Sequence, residues 1–399
     1  MTDRTGKVNI LFLHPNAELY GSDRVLLNVL KSLDRSKFNP TVILSYEGPL
    51  VYEITKLAIP VRIINLGILR RKYLNFSGIL SRAYHILTSF FHLLGLIRKN
   101  HIDLIYTNTC VVLVGGLVAK VCRRQHIWYV QEIIENPVWV WKIISFLVCT
   151  LSTQVVAVSQ AVKRHLLGKG KFFEKKIKVV YNGIDFNKFT PAQNESKIRK
   201  EFNIPDEVLL VGMVGRITPK KGQDHFLLAA REVTRRLPEA KFMVVGGPDQ
   251  DAEDYMNELR RQAEDLGLIS KVIFTGFRRD VAAILAAFDI FLLPSLRPES
   301  LPTVVLEAMA TGKPIVGYAH GGMPEIVEDG RSGFLVPPFS YRELAKKIVT
   351  LAQDSELRSK MGNAARRQIP RKFSQENFTA AINNLILSAC QSQKTKWKD

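Results

Sequence analysis

Cysteine is scarce and unpaired in this sequence: Cys110, Cys122, Cys149 and Cys390 form no Cys-x-x-Cys pair and have no histidine at metal-ligand spacing. Their pattern excludes a disulfide scaffold and a zinc module and suits a reducing cytosol. Long apolar runs are missing too. The N-terminal run, residues 8–13, is interrupted by Asn9 and is too short for a signal-peptide core. No run reaches the ~20 apolar residues that a spanning helix needs. The expected protein is neither secreted by this route nor integral to a membrane. No low-complexity tract occurs, so disorder is expected only at the ends. Acidic residues, finally, are short in one half. Residues 1–200 hold 29 Lys and Arg against 12 Asp and Glu, so +17 of the net +19 lies there, whereas the remainder holds 27 against 25. Such a field favours an anionic partner, whether nucleic acid, a phospholipid surface or a phosphorylated substrate; its plainer use is solubility.

What is present is enough for a large core. The 399 residues are 46% hydrophobic, and a chain of this length divides into two or three domains. Strand-like stretches at 8–13, 41–45, 61–65, 103–107, 127–130, 153–158 and 178–180 alternate with helical patterns, among them one opened by Gly21. Alternation of this kind predicts a parallel sheet covered by helices. It breaks at 181–204, where Asn-Gly, Pro and a charged run mark an inter-domain connection, and restarts with strands at 208–214, 241–245, 271–275 and 289–293. The fold class is therefore α/β, with two facing parallel-sheet domains and a cleft between them. The boundaries are set at 1–185 for the N-terminal, acceptor-side domain and 186–372 for the C-terminal domain. Residues 373–389 form a terminal helix expected to pack back on the first domain, and 391–399 a disordered tail.

Residues 291–338 organise the second half. A buried strand leads into a loop carrying Glu299, a helix over 303–311 carries Glu307, and a second strand ends in a turn with Gly321 and Gly322. Loops at the carboxyl ends of parallel strands are where open α/β folds bind ligands, so both carboxylates are expected to face a crevice. Earlier, Gly215 to Gly222 reads GRITPKKG between a strand and a helix. A glycine turn, the cations Arg216 and Lys221 and a helix N-terminus suit a diphosphate, although solvated loop charges remain the alternative. The spacing is neither GxxxxGK[ST] nor GxGxxG.

These residues carry a resemblance. Gly215-Arg216, then Lys221-Gly222, then Glu299 with Glu307-Ala308-Met309 after seven intervening residues, then Gly321-Gly322-Met323-Pro324-Glu325 resemble the donor half of the retaining glycosyltransferases of family four. Gly21-Ser22-Asp23 is similar to the family's N-terminal glycine loop and Asn182-Gly183-Ile184-Asp185 to its inter-domain signature. The resemblance implies the GT-B fold and transfer of a sugar from a nucleoside diphosphate, here a UDP- or GDP-sugar, with no metal or other cofactor. It implies that Arg216 and Lys221 stabilise the leaving diphosphate. Glu307 would hold the ribose hydroxyls, Glu299 would contact the sugar beside the amides of Ser300, Leu301, Pro302 and Thr303, and Gly21 would approach the diphosphate. Base contacts would come from loops near Gly246 and Phe277, and domain closure would hinge near 182–191. Retention is ascribed in the family to same-face attack.

One position departs from the pattern. Many relatives carry a histidine after the strand at 127–130, where this chain has Gln131 and Glu132. Glutamine can donate to a sugar hydroxyl but cannot shuttle a proton near neutral pH; Glu132 is either its replacement or a surface carboxylate. His14 reads as a packed or turn histidine, and Asp249-Gln250-Asp251 only imitates a metal-binding DxD. Residues 77–100 show two apolar stripes, one through Leu80, Tyr84, Leu87 and Phe91 and one through Ile86, Phe90, Leu93 and Ile97. Residues 138–151, with Trp139 and Trp141, are nearly all apolar, and Arg70, Arg71, Lys72, Arg123, Arg124, Lys163 and Arg164 flank the two segments. They are either two buried helices or a surface for an anionic bilayer. The expected partners are a nucleotide-sugar donor, a glycan or lipid-diphosphate-linked acceptor and an anionic membrane surface, with no specific nucleic acid. The expected location is cytoplasmic, peripheral on the inner membrane face. A nucleotide-sugar epimerase or hydrolase of the same fold, and a non-enzymatic basic protein binding membrane or nucleic acid, are the alternatives.

Overall fold

The computed structural model describes residues 6–395 except 70–72, 74, 169, 192–194 and 249–252. The chain forms two compact units, one of residues 1–183 with 376–399 and one of residues 184–375. The division thus falls at 183/184, where the sequence placed it at 185/186.

In the first unit the elements run β1 (Val8–His14), α1 (Gly21–Ser32), β2 (Phe38–Leu44), α2 (Pro49–Thr55), β3 (Val61–Ile63), α3 (Phe76–Lys99), β4 (Leu104–Asn108), α4 (Val114–Val121), β5 (Gln125–Val130), α5 (Val138–Leu151), β6 (Gln154–Ala157), α6 (Gln160–Leu167) and β7 (Ile177–Val179). The sheet is parallel throughout, in the order β3-β2-β1-β4-β5-β6-β7. The central strands β1 and β4 are covered on both faces, so their apolar residues run on without alternation, and Ile10, Leu11, Phe12, Leu13, Leu104 and Ile105 are fully buried. Strand order reverses between β1 and β4, which makes their carboxyl ends the switch point. Capping explains where two helices begin. Asp23, at the third position of α1, accepts the Tyr20 N–H at 3.0 Å, and the Asn75 side chain accepts the Gly78 N–H at 2.7 Å before α3.

The second unit holds α7 (Glu195–Glu201), β8 (Leu210–Val214), α8 (Gln223–Thr234), β9 (Lys241–Val245), α9 (Glu253–Asp265), β10 (Val272–Gly276), α10 (Val281–Ala287), β11 (Ile290–Leu293), α11 (Thr303–Ala310), β12 (Ile315–Tyr318), α12 (Met323–Ile326), β13 (Gly333–Val336), α13 (Tyr341–Gln353) and α14 (Ser355–Lys372). Its parallel sheet has the order β10-β9-β8-β11-β12-β13, with the reversal between β8 and β11. The stretch read as a connection at 181–204 therefore contains a helix, α7, in addition to its turns.

The last helix, α15 (Gln375–Thr395), corrects the reading of the tail over 391–395, which are helical, while 396–399 lie outside the described residues. Ile382 and Ile386 are fully buried. Asn383 explains the docking: its amide donates to the Ser32 carbonyl at 2.7 Å and accepts the Asp34 N–H at 3.1 Å, satisfying groups that the end of α1 leaves open.

The two apolar segments resolve into one buried and one exposed face each. On α3, Leu93 and Ile97 are buried and Ile86 and Phe90 pack on the core, whereas Phe76, Leu80, Tyr84, Leu87 and Phe91 are exposed. On α5, Trp141, Ile144 and Val148 are buried, whereas Trp139 and Phe146 stay 63% and 60% exposed. No helix among the described residues is long and apolar enough to cross a membrane.

Candidate functional site

In the second unit the site grows from the two strands that flank the switch point. After β8 the chain turns through Gly215 and Arg216, makes one short helical turn over Pro219–Lys221 and enters α8. Gly222, which joins the two, has φ +74°, and a Cβ there would lie 1.9 Å from the Pro294 carbonyl oxygen. Only glycine fits both demands. Arg216 is exposed, and its carbonyl is held by the amide of fully buried Gln223 at 2.8 Å. After β11 the loop carries Ser295 and Glu299. Lys221 Nζ donates to Glu299 Oε1 at 2.7 Å, and the Ser295 hydroxyl donates to the same oxygen at 2.8 Å.

That pairing sets the charge state of the carboxylate. Burial alone would raise the Glu299 carboxyl, but the Lys221 ammonium, the Ser295 hydroxyl and the nearby His320 outweigh it and hold the group below the ordinary carboxylate range. The backbone of the same loop is braced from behind. Gly321, at φ +59°, sits where a Cβ would come within 2.2 Å of the Glu299 carbonyl oxygen, and the Gly322 N–H donates to that oxygen at 2.7 Å. Leu301 and Pro302 are buried, Ser300 and Thr303 half-buried, and α11 starts at Thr303 behind Pro302, which supplies no side-chain cap. The first turns of α8 and α11 thus offer backbone N–H groups and the positive end of each helix dipole. Glu307 lies one turn further along α11 and is only 8% exposed. Phe277, after β10, is 60% exposed beside the turn at Gly246 and Gly247.

In the first unit Gly21 opens α1, and a Cβ there would meet no protein atom within 4 Å. Gln131 and Glu132 follow β5. Glu132 Oε2 accepts the N–H groups of Gln131 at 3.1 Å and Cys110 at 3.2 Å, which ties the turn after β4 to the end of β5. Loss of hydration pushes the Glu132 carboxyl up, against those hydrogen bonds. Burial likewise pushes the adjacent Cys110 thiol up, so it is held neutral and inert. Gln131 donates through Nε2 to Asn108 Oδ1 at 2.5 Å, Asn108 Nδ2 meets His14 Nδ1 at 2.9 Å, and His14 Nε2 meets Asp23 Oδ1 at 2.7 Å. His14 is fully buried, as a packed histidine should be, yet it belongs to a polar chain.

Reading the sequence missed Ser295, Gln223, Asn108 and Asp23 as partners of the named residues. One of them had a signal, since Asn108, like His14, is a polar residue closing a strand. Asp249-Gln250-Asp251, like Arg70, Arg71 and Lys72, lies outside the described residues. Among the described residues no three His, Cys, Asp or Glu side chains are grouped to hold a metal ion. A groove of about 610 Å³ between β3 and α3, lined by Arg62, His92 and Lys99, holds none of the residues gathered above.

Comparison with known proteins bears on this arrangement. A family model described as Glycosyltransferase Family 4 matches residues 20–188, and one described as Glycosyl transferases group 1 matches residues 194–368. A D-inositol 3-phosphate glycosyltransferase of Mycobacteroides abscessus is 37% identical over 175 residues, 43% of this chain and 38% of that protein. For three relatives of 31 to 37% identity the matched stretch spans 38 to 55% of the relative's length. An Escherichia coli UDP-Gal:alpha-D-GlcNAc-diphosphoundecaprenol alpha-1,3-galactosyltransferase is 24% identical over 373 residues, 90% of this chain and 91% of that one. Among solved structures, Anabaena HepE in complex with UDP and glucose matches at a TM-score of 0.81 and 28% identity, covering 96% of this chain and 99% of its own.

Proposed function

The chain belongs to the glycosyltransferases of family four, with the GT-B fold, and on that premise we propose that it is a retaining, metal-independent hexosyltransferase. Its donor is a UDP- or GDP-sugar and its acceptor a glycan or a lipid-diphosphate-linked glycan. The observation that carries the reading is the Lys221–Glu299 pair at 2.7 Å, set at the switch point of the second sheet between two helix N-termini. A diphosphate leaving group gains negative charge as its bond to the sugar breaks. Fixed cations and helix dipoles aimed at that charge stabilise the transition state more than the ground state. Lys221 and Arg216 meet the diphosphate, Glu307 takes the ribose hydroxyls, and Glu299 holds a sugar hydroxyl with the backbone N–H groups of Ser300, Leu301 and Thr303 beside it. The bond from the sugar's anomeric carbon to the phosphate oxygen breaks, the acceptor oxygen bonds to that carbon on the same face, and the acceptor's proton passes to the departing phosphate oxygen. Glu299 is a clamp here, its Oε1 held by Lys221 and Ser295 and its other oxygen left to take a sugar hydroxyl.

The HepE structure was solved with UDP and glucose, which supports UDP as the nucleotide to try first. The E. coli relative, which aligns over 90% of this chain, is named for a diphosphoundecaprenol-linked acceptor, which supports a lipid-diphosphate acceptor. The exposed apolar faces of α3 and α5, in the half of the chain that carries +17 of the net charge, fit an anionic bilayer as the surface on which that acceptor is met. Calorimetry and thermal shift against UDP-, GDP-, ADP- and dTDP-sugars test the donor assignment, with Arg216→Ala and Lys221→Ala alongside. Saturable binding of one nucleotide sugar, weakened in both variants, is expected; no binding to any of them rejects the assignment.

A further inference from the structure

The polar chain of the first unit has a direction. A carboxylate only accepts hydrogen bonds, and Asp23 collects three: from the Tyr20 N–H at 3.0 Å, the Ser22 hydroxyl at 3.3 Å and His14 Nε2 at 2.7 Å. His14 therefore carries its proton on Nε2, which leaves Nδ1 of the neutral ring as an acceptor. The Asn108 group facing it must then be the amide nitrogen, at 2.9 Å, and that orientation is locked a second time because the same nitrogen donates to the Ser22 carbonyl at 3.2 Å. Asn108 consequently turns its oxygen to Gln131, and Gln131 must answer with Nε2, at 2.5 Å. Asp23, His14 and Asn108 are buried, with exposures of 1%, 0% and 0%, so water cannot substitute for a member or blur the direction.

The end of the Gln131 amide turned away from Asn108 is its carbonyl oxygen, and among the described residues no donor reaches it. The members sit at the carboxyl ends of the neighbouring strands β1, β4 and β5 and at the start of α1, on the rim where an open parallel sheet takes its ligand. We infer that Asp23, His14 and Asn108 are positioning residues that fix Gln131 as a hydrogen-bond acceptor, so that the site selects a substrate hydroxyl that must donate. In this role Gln131 accepts from the sugar instead of donating to it. The inference rests on the proposal that a nucleotide sugar is the substrate and deepens it: one sugar hydroxyl is read for its proton, by a group with no titration of its own.

Two measurements test it on the full-length protein. In 15N-histidine NMR, His14 should show a single neutral ring protonated at Nε2, and Asp23→Asn should mix the tautomers; a wild-type ring protonated at Nδ1 overturns the inference. Calorimetry with UDP, UDP-glucose and the monodeoxyfluoro analogues of UDP-glucose reads the consequence, because fluorine accepts weakly and cannot donate. One analogue should bind about 10-fold more weakly than UDP-glucose. The penalty should shrink to about 2-fold in Gln131→Met and persist in Gln131→His, whose ring can donate to Asn108 and still accept. UDP and UDP-glucose bound normally, with all analogues equal or the penalty unchanged in Gln131→Met, overturns the inference and leaves the donor assignment standing. Failure to bind UDP- and GDP-sugars alike removes both.

Discussion

The two units share a strand order over six strands, the first adding a seventh, but hold their polar groups in opposite ways. In the second, the charged pair Lys221–Glu299 is assembled from two loops after neighbouring strands, β8 and β11, and glycines press the supporting backbones together. In the first, buried groups are strung across three strand ends, from Asp23 to half-buried Gln131, and a Cβ on Gly21 would meet open space. The second arrangement suits a charge that must be met by opposite charge at once. The first suits orientation, since a buried hydrogen-bonded chain anchored at one end on a carboxylate transmits direction. Substitutions should therefore act through chemistry and backbone in the second unit and through specificity in the first.

The largest effect that would break this contrast is at Glu299. Glu299→Ala is expected to lower turnover by about 100-fold or more while nucleotide affinity changes little. Glu307→Ala is expected to weaken nucleotide binding by about 10-fold. Kinetics and calorimetry on both variants check the split, and small, equal losses would dissolve it. Next come the glycines. Gly222→Ala and Gly321→Ala each combine a left-handed backbone with a Cβ less than 2.5 Å from a carbonyl oxygen. Each should cost about 2–3 kcal/mol and lower the thermal midpoint by ~4 °C or more. Gly21→Ala should leave the midpoint unchanged and weaken donor binding, which scanning calorimetry beside titration distinguishes.

A smaller effect sharpens the comparison on the outside of the first unit. Trp139→Glu with Phe146→Glu should reduce sedimentation with anionic vesicles at low salt by about 10-fold and leave nucleotide binding untouched. Vesicle binding that ignores both the substitutions and added salt would remove the membrane reading. The smallest concerns Glu132, whose carboxyl is raised by burial in the folded protein. A carboxyl with a raised folded value destabilises the fold at neutral pH, and the cost fades as pH falls towards the ordinary unfolded value near ~4.3. Glu132→Gln, which keeps an acceptor for the two N–H groups, should be as stable as wild type or slightly more so at pH 7. Its advantage should shrink on acidification, as urea melts across that window would show.

Much of this was legible in the chain, for reasons that differ by residue. Strand 241–245 was placed to the residue, since a short apolar run between turn signals has few other uses. That Gly215 to Gly222 would join a strand to a helix, and that Glu299 would lie on a loop with Glu307 on the helix after it, was legible because each pattern is contained in a short stretch. The apolar stripes of α3 were visible, but not which one faces water; Leu93 and Leu87 are equally apolar, and only packing against the sheet separates them. The end of α15 was misplaced because its polar last turns carry no hydrophobic period to follow.

The sequence by itself determined the alternation that forces two parallel sheets, the loops that bear charge and the basic bias of the first half. All three are properties of residues near one another along the chain. Tertiary structure alone decided that Asn383 would close the end of α1, 351 residues from Ser32, and that Ser295 would share Glu299 with Lys221. It alone decided that an amide at the end of β5 would take its orientation from a carboxylate at the start of α1. Hydrogen-bond direction passes only through groups in contact, and which groups touch is set by strand order.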